Sequence, residues 1–125
     1  MPSRNVVLVV AFDAGFRRSL EFALDVEGFE VSSHADISQA QESPFAPAAV
    51  CAVVDDSALR DGRWAREAVE QLAKPVVLLG EMPRDFPAVA GLRLLTKPLR
   101  GNELVESVWA MVAAASPDYV FPLRR

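Results

Sequence analysis

Short apolar runs recur along the chain at a spacing that suggests alternating strands and helices. Three of them, Val6–Ala11, Val50–Val54 and Val76–Leu79, are continuous and rich in valine. Strands that are buried on both faces of a parallel sheet have this pattern. Phe29–His34 mixes polar and apolar residues and predicts an edge strand, and Leu92–Thr96 supplies a fifth candidate. The pattern therefore predicts five strands.

Helical patterns occupy the segments between the first strands. Phe16 and Leu24 fall on one helix face, and Gly28 follows as a candidate C-terminal cap. Asp36 predicts the N-cap of a short second helix that runs through Gln41. Each helix therefore begins and ends on residues that favour those positions.

The second half of the chain continues the alternation. Arg63–Lys74 predicts a third helix, which Pro75 ends, and only a short helix near Ala88–Gly91 fits before the fifth strand. The buried face of the last helix is predicted to consist of Leu104, Val105, Val108, Met111 and Val112.

Alternating strands and helices predict an α/β fold with a parallel sheet and right-handed crossovers. We expect a single flavodoxin-like domain over residues 1–115, doubly wound, with five strands in the order 2-1-3-4-5. Residues 116–125 are expected to be a C-terminal tail or the start of a linker. In such sheets the functional groups lie beyond the carboxyl ends of the strands.

Composition and charge narrow the classes of function. The 125 residues are 51% hydrophobic and 24% charged, which is typical of a globular domain. The formal net charge is −4 and the basic residues are scattered, which argues against nucleic-acid binding. The apolar runs are too short to cross a membrane, and the expected location is cytoplasmic. Cys51 and His34 are the only residues of their types, which excludes a cysteine-rich or histidine-based metal site.

Several segments, in order and in register, resemble the receiver domain of two-component response regulators. Val7–Val10, Phe16–Leu20 and Glu27–Val31 are similar to the opening of that family. Val53–Asp55 is similar to its third strand, and Leu94–Leu99 to its fifth strand and the lysine that follows. The resemblance extends from residue 5 to about residue 115.

In that family an aspartate at the end of the third strand accepts a phosphoryl group, and two acidic residues after the first strand hold Mg²⁺. A lysine after the fifth strand pairs with the phosphoryl group. The resemblance implies that Asp55 is equivalent to the phosphoacceptor, with Asp56 as the alternative, and that Lys97 is the pairing lysine. The acidic pair, however, falls on Ala11 and Phe12, which cannot bind a hard cation.

Two further positions of the family's site are changed. The hydroxyl residue that binds the phosphoryl group falls on Gly80, and the aromatic switch residue falls on Leu94. Asp13, Asp55 and Ser57 remain as candidate metal ligands. Asp13 has a plainer role as the N-cap of the first helix, and Asp55 could be an ordinary turn residue at a strand end.

The sequence therefore predicts a degenerate receiver-like module that acts through protein–protein contact, with aspartyl phosphorylation impaired or absent, and not an enzyme. No cofactor is expected, and Mg²⁺ would be expected only if the site proved competent. The expected partners are proteins such as a sensor histidine kinase or a downstream effector, and a homodimer stays open. The last helix and fifth strand, with Tyr119–Phe121, are expected to form the partner or dimer surface, and the alternative is that Tyr119–Phe121 fold back onto the domain's own core.

Two other functions are compatible with the same fold. One is a conventional receiver that is phosphorylated on Asp55 and borrows Asp13 or Asp56 for Mg²⁺. The other is a small flavodoxin-like binder of a nucleotide or flavin. The segment after the first strand, Ala11–Gly15, contains no glycine-rich phosphate loop, which argues against the second alternative.

Overall fold

The structure is a computed structural model, and it describes residues 5–58, 72, 75–80, 92–97, 99 and 102–115. In chain order the elements are β1 (Val6–Val10), α1 (Ala14–Asp25), β2 (Glu30–His34), α2 (Ile37–Glu42), β3 (Ala49–Asp55), β4 (Val76–Gly80), β5 (Leu92–Thr96) and α3 (Glu103–Ala115). Short 3-10 turns at Ala46–Ala48 and Asp56–Ala58 precede and follow β3.

The five strands form one parallel sheet in the order β2-β1-β3-β4-β5, which confirms the predicted topology and the edge position of β2. Val10 is in register with Val54, and Asp55 with Leu79. The carboxyl ends of β1, β3 and β4 therefore lie side by side. This edge of the sheet is where the candidate functional residues meet.

The sheet is covered on both faces, as its valine-rich strands predict. Side chains alternate along β1, so Val7 and Val9 belong to one buried cluster and Leu8 and Val10 to the other. Cys51 on β3 is fully buried, and this burial raises the pKa of its thiol to about 12. A thiol that is buried and stays protonated in this way is a poor nucleophile.

Helices α1 and α3 pack on the face of the sheet that contains Val7 and Val9. The rings of Phe29, just before β2, and Trp109, on α3, lie 4.4 Å apart between their centroids. On α1 the buried residues are Leu20 and Leu24. The predicted buried face of the last helix is confirmed for all its members: Leu104, Val105, Val108, Met111 and Val112.

The two predicted N-caps are confirmed, whereas the C-cap of α1 is Val26 and not Gly28. The carboxylate of Asp13 accepts a hydrogen bond from the Phe16 backbone N–H at 2.7 Å and caps α1. Asp36 caps α2 in the same way through the backbone N–H of Gln39, at 2.9 Å. Gly28 has a φ of 98° in the turn after α1, a conformation that glycine adopts with little strain.

Some element bounds differ slightly from the predicted ones. The first strand ends at Val10 rather than Ala11, and the third extends to Asp55, so this aspartate is itself the last strand residue. Leu72 is helical and buried, but the rest of the predicted third helix, the short helix before β5 and the tail 116–125 lie outside the described residues. In the part of the chain that is described, no helix is long and apolar enough to span a membrane.

Candidate functional site at the carboxyl edge of the sheet

Asp55 is the centre of the candidate site, and its side chain is only 2% exposed. One carboxylate oxygen, Oδ1, accepts a hydrogen bond from Lys97 Nζ at 2.9 Å. The other, Oδ2, accepts from the Ser57 backbone N–H at 3.2 Å and from the Ser57 hydroxyl. Both oxygens of this buried carboxylate are therefore engaged by neighbouring groups of the chain.

Lys97 follows β5 and is held at the edge of the sheet by its backbone. Its N–H donates to the carbonyl oxygen of Gly80, the last residue of β4, at 2.8 Å. Its ammonium group contacts Asp55 at 2.9 Å and Asp56 at 3.4 Å, and lies 5.3 Å from the centroid of the Phe16 ring. Burial alone would lower the pKa of Lys97, but hydrogen bonds and charge from the two aspartates outweigh it and raise that pKa.

Asp56 contributes to the site in a way that the sequence did not suggest. It begins the turn after β3, and its side chain is 43% exposed while it accepts from Lys97. A Cβ atom placed on Gly80 would lie only 3.1 Å from Asp56 Oδ2. The Asp56 carboxylate therefore lies against Gly80, onto which the family resemblance places a hydroxyl residue. The adjacent Asp55 and Asp56 after an apolar run were the available signal.

The loop after β1 contains the two positions at which the resemblance calls for acidic residues. Ala11 is fully buried, and the Arg17 guanidinium donates to the carbonyl oxygens of Ala11 at 2.7 Å and Phe12 at 3.3 Å. The Phe12 N–H donates to Ser57 Oγ at 3.4 Å, but its side chain is 67% exposed. The Phe12 ring is therefore open to solvent rather than packed over Asp55.

The residues at this edge do not fit Mg²⁺, which the family resemblance implies. Hard cations need several oxygen ligands, but Ala11 and Phe12 offer no side-chain oxygen here. Asp13 is turned away into the N-cap of α1, and Asp55 and Asp56 share the Lys97 ammonium. Within the described ranges, no three residues of the types His, Cys, Asp and Glu lie close enough together to hold a metal ion.

The remaining predicted position does not join the cluster around Asp55. Leu94 lies on β5, half-buried, and packs against the buried residues of the opposite sheet face. The structure thus brings together Asp55, Asp56, Ser57 and Lys97, with Gly80 beside them. It keeps Asp13 in a helix cap. Arg17, which fixes the Ala11–Phe12 backbone, was missed because nothing in the sequence indicates where a helical arginine will bind.

Comparison with known proteins gives one sequence relative with high coverage. FixT of Rhizobium meliloti, named as a transcriptional regulator protein, is 33% identical over 112 residues, which cover 89% of this chain and 96% of FixT. No family model matches the sequence.

Solved structures are similar in fold. A response regulator receiver protein from Sinorhizobium medicae superimposes with a TM-score of 0.73 and 21% identity, over 90% of this chain and 97% of that protein. Full-length FixJ from B. japonicum gives a TM-score of 0.69 with 24% identity, over 93% of this chain and 61% of FixJ. The strand order of this chain agrees with the receiver fold of these proteins.

Proposed function

The chain belongs to the receiver-domain family of two-component response regulators, and we propose that it is a receiver that signals through protein contact without phosphorylation of Asp55. The observation that carries this proposal is the set of bonds around the Asp55 carboxylate. Its Oδ1 is paired with Lys97 and its Oδ2 with Ser57, while the side chain is 2% exposed. The nucleophilic oxygens are thus already occupied within the chain.

Phosphoryl transfer to a carboxylate requires a cation to offset the charge that gathers on the transferred group and on the attacking oxygen. Two carboxylates, Asp55 and Asp56, and one ammonium, Lys97, leave this cluster with a formal charge of −1. An approaching phosphodonor is an anion as well, so it is repelled unless a metal is added. Since Ala11 and Phe12 provide no ligands, the described residues around Asp55 offer too few oxygen ligands to recruit one.

A conventional receiver would have to take its missing ligands from Asp13 or Asp56. The Asp13 carboxylate caps α1 at 2.7 Å, and loss of such a cap costs about 1 kcal/mol. Asp56 would have to leave Lys97 Nζ, at 3.4 Å. Both changes act against the folded arrangement, so the geometry favours the receiver that is not phosphorylated.

Protein contact is supported by the outward face of α1. Phe22 is 69% exposed, and Val26, one helical turn further on, is also exposed. Phe12, which precedes the helix, is a third large apolar side chain open to solvent. Exposed aromatic and aliphatic groups one helical turn apart, such as Phe22 and Val26, are typical of binding surfaces. A sensor histidine kinase or a downstream effector is the partner class that fits a receiver.

Magnesium binding, measured by isothermal titration calorimetry, tests the proposal. We expect no saturable heat from the parent protein at millimolar Mg²⁺, and measurable binding by the variant Ala11→Asp/Phe12→Asp. Asp13→Asn is the control, because asparagine caps a helix as well as aspartate does but binds cations poorly. Sub-millimolar binding by the parent that Asp13→Asn abolishes would favour the conventional receiver instead.

A further inference from the structure

The outer edge of β2 is one end of the sheet, and it lies two strands away from β3, which carries Asp55. No strand among the described residues pairs with this edge. The backbone N–H of Glu30 and the backbone carbonyl of His34 bond toward β1, at 2.9 and 3.0 Å. Because the bonding direction alternates along a parallel strand, the N–H and C=O groups of Val31 and Ser33 point away from the sheet. They are available to a further strand.

An open groove of about 550 Å³ lies between α1 and this edge. We call it the α1/β2 groove. Phe22 from α1 and Val31 from β2 give it an apolar lining, and Ser33 lies beside them. The Ser33 hydroxyl donates to the carboxylate of Glu21, which fixes the side chains of α1 and β2 relative to each other. The groove is thus preformed, and it adjoins the outward backbone groups.

The charge of the α1/β2 groove is strongly one-sided. Among the described residues, Glu21, Asp25 and Glu30 line it with three carboxylates and Arg18 with one cation, which gives these four a formal charge of −2. These groups lie around an apolar lining and beside a strand edge. The outward backbone groups therefore favour an extended chain as the ligand, and the carboxylates favour a basic one.

We propose that the α1/β2 groove binds an extended, basic segment of a partner protein, which pairs with β2 as a sixth strand. The backbone of the segment bonds to the N–H and C=O groups of Val31 and Ser33, as in other cases of strand addition. Alternate side chains enter the groove, where apolar ones contact Phe22 and lysine or arginine contacts the carboxylates. Binding in this groove requires no change at Asp55.

A second copy of this chain is a poorer occupant than a basic segment. Pairing of two β2 edges would bring the carboxylates of both grooves together, and like charges at an interface oppose association. Charged side chains at an edge strand are a common means of preventing such self-pairing. The acidic lining therefore selects a partner of opposite charge.

A displayed library of random peptides of about eight residues, long enough to pair with the five-residue β2, tests the proposal. The intact protein is the bait. Peptides selected by it should be enriched in lysine and arginine at alternate positions and should lack internal proline. Two variants then separate the contributions. Ser33→Pro removes one outward N–H without touching the bonds to β1, and Glu30→Lys/Asp25→Lys reverses charge at two exposed positions.

For the selected peptides we expect Ser33→Pro to weaken binding by roughly tenfold, the loss that one unpaired backbone group produces. Ser33→Ala is the matched control, because it removes the same hydroxyl bond to Glu21 and keeps the backbone N–H. The charge-reversed variant should select acidic peptides in place of basic ones. Thermal unfolding of each variant shows that the fold is kept.

Equal affinity of the parent and Ser33→Pro for the selected peptides would show that the edge of β2 is not used. A continued preference for basic peptides after charge reversal would show that the carboxylates do not recognise the ligand. A dimer of the parent that Ser33→Pro dissociates in sedimentation would identify a second copy as the occupant and overturn the proposal. None of these results depends on whether Asp55 can be phosphorylated.

Discussion

Replacement of Lys97 by methionine should show how much the stability of the fold depends on the ion pair between Lys97 and Asp55. The change leaves the Asp55 carboxylate 2% exposed and without the ammonium that lies 2.9 Å from it. A hydrogen bond to a charged group contributes about 1.5–3 kcal/mol, and breaking a fully buried ion pair costs about 3–5 kcal/mol. Lys97 is itself 22% exposed, so water can replace it in part, and we expect about 3 kcal/mol of destabilisation.

For a domain of this size that loss lowers the Tm by roughly 10 °C, which differential scanning calorimetry resolves easily. Arg93→Met is the matched control: Arg93 is exposed on β5, the strand that Lys97 follows, and its loss should change stability by less than about 0.5 kcal/mol. Adding Asp55→Asn to Lys97→Met removes the unpaired, buried carboxylate charge and should restore about 2 kcal/mol of the free energy of unfolding. If the free energy of unfolding of Lys97→Met lies within about 1 kcal/mol of the parent's, the buried carboxylate does not depend on the lysine and the reasoning is wrong.

Three further outcomes follow from particular contacts. Because the pKa of Lys97 is raised in the folded state, its stabilising effect is complete below its ordinary pKa of 10.5 and is lost as pH rises through the higher folded-state value. In denaturant unfolding, the difference in the free energy of unfolding between the parent and Lys97→Met should therefore be constant up to about pH 10 and shrink above it. A difference that grows above about pH 10 would contradict a raised pKa of Lys97. Phe12→Asp should change the free energy of unfolding by less than about 0.5 kcal/mol because the ring is 67% exposed, and a loss near 3 kcal/mol would mean that the ring is packed. Gly28→Ala should cost about 1 kcal/mol, from the strain of a φ of 98° alone since no atom lies within 4 Å of the added Cβ, and an unchanged Tm would refute that.

The fold could be predicted because the local signals in the sequence agree with one another. Valine-rich runs identified the central strands, and the polar positions of Phe29–His34 identified β2 as an edge. Asp13 and Asp36 were recognisable as helix caps from their position before apolar periodic segments. Each of these features depends on residues close together in the chain, which is why a single sequence reveals them.

The site was harder to predict because its contacts join residues far apart in the chain. That Asp55 closes β3 could be inferred from the sequence, but the contact of the Phe12 N–H with Ser57 Oγ, 45 residues further on, could not. The contact between Asp56 and the Cβ position of Gly80 depends on the register of β3 against β4. The exposure of Phe12 depends on how the loop after β1 is held, and no pattern of apolar residues records that.

Intact-mass measurement after incubation with acetyl phosphate and Mg²⁺ tests most directly whether this receiver acts without phosphorylation. The parent should gain no phosphoryl group. The variant Ala11→Asp/Phe12→Asp/Gly80→Thr, once its thermal transition shows it to be folded, should gain one that disappears when Asp55 is also changed to Asn. Gly80→Thr needs Asp56 to move, since a Cβ there lies 3.1 Å from its carboxylate. Efficient labelling of the parent on Asp55 would contradict the account.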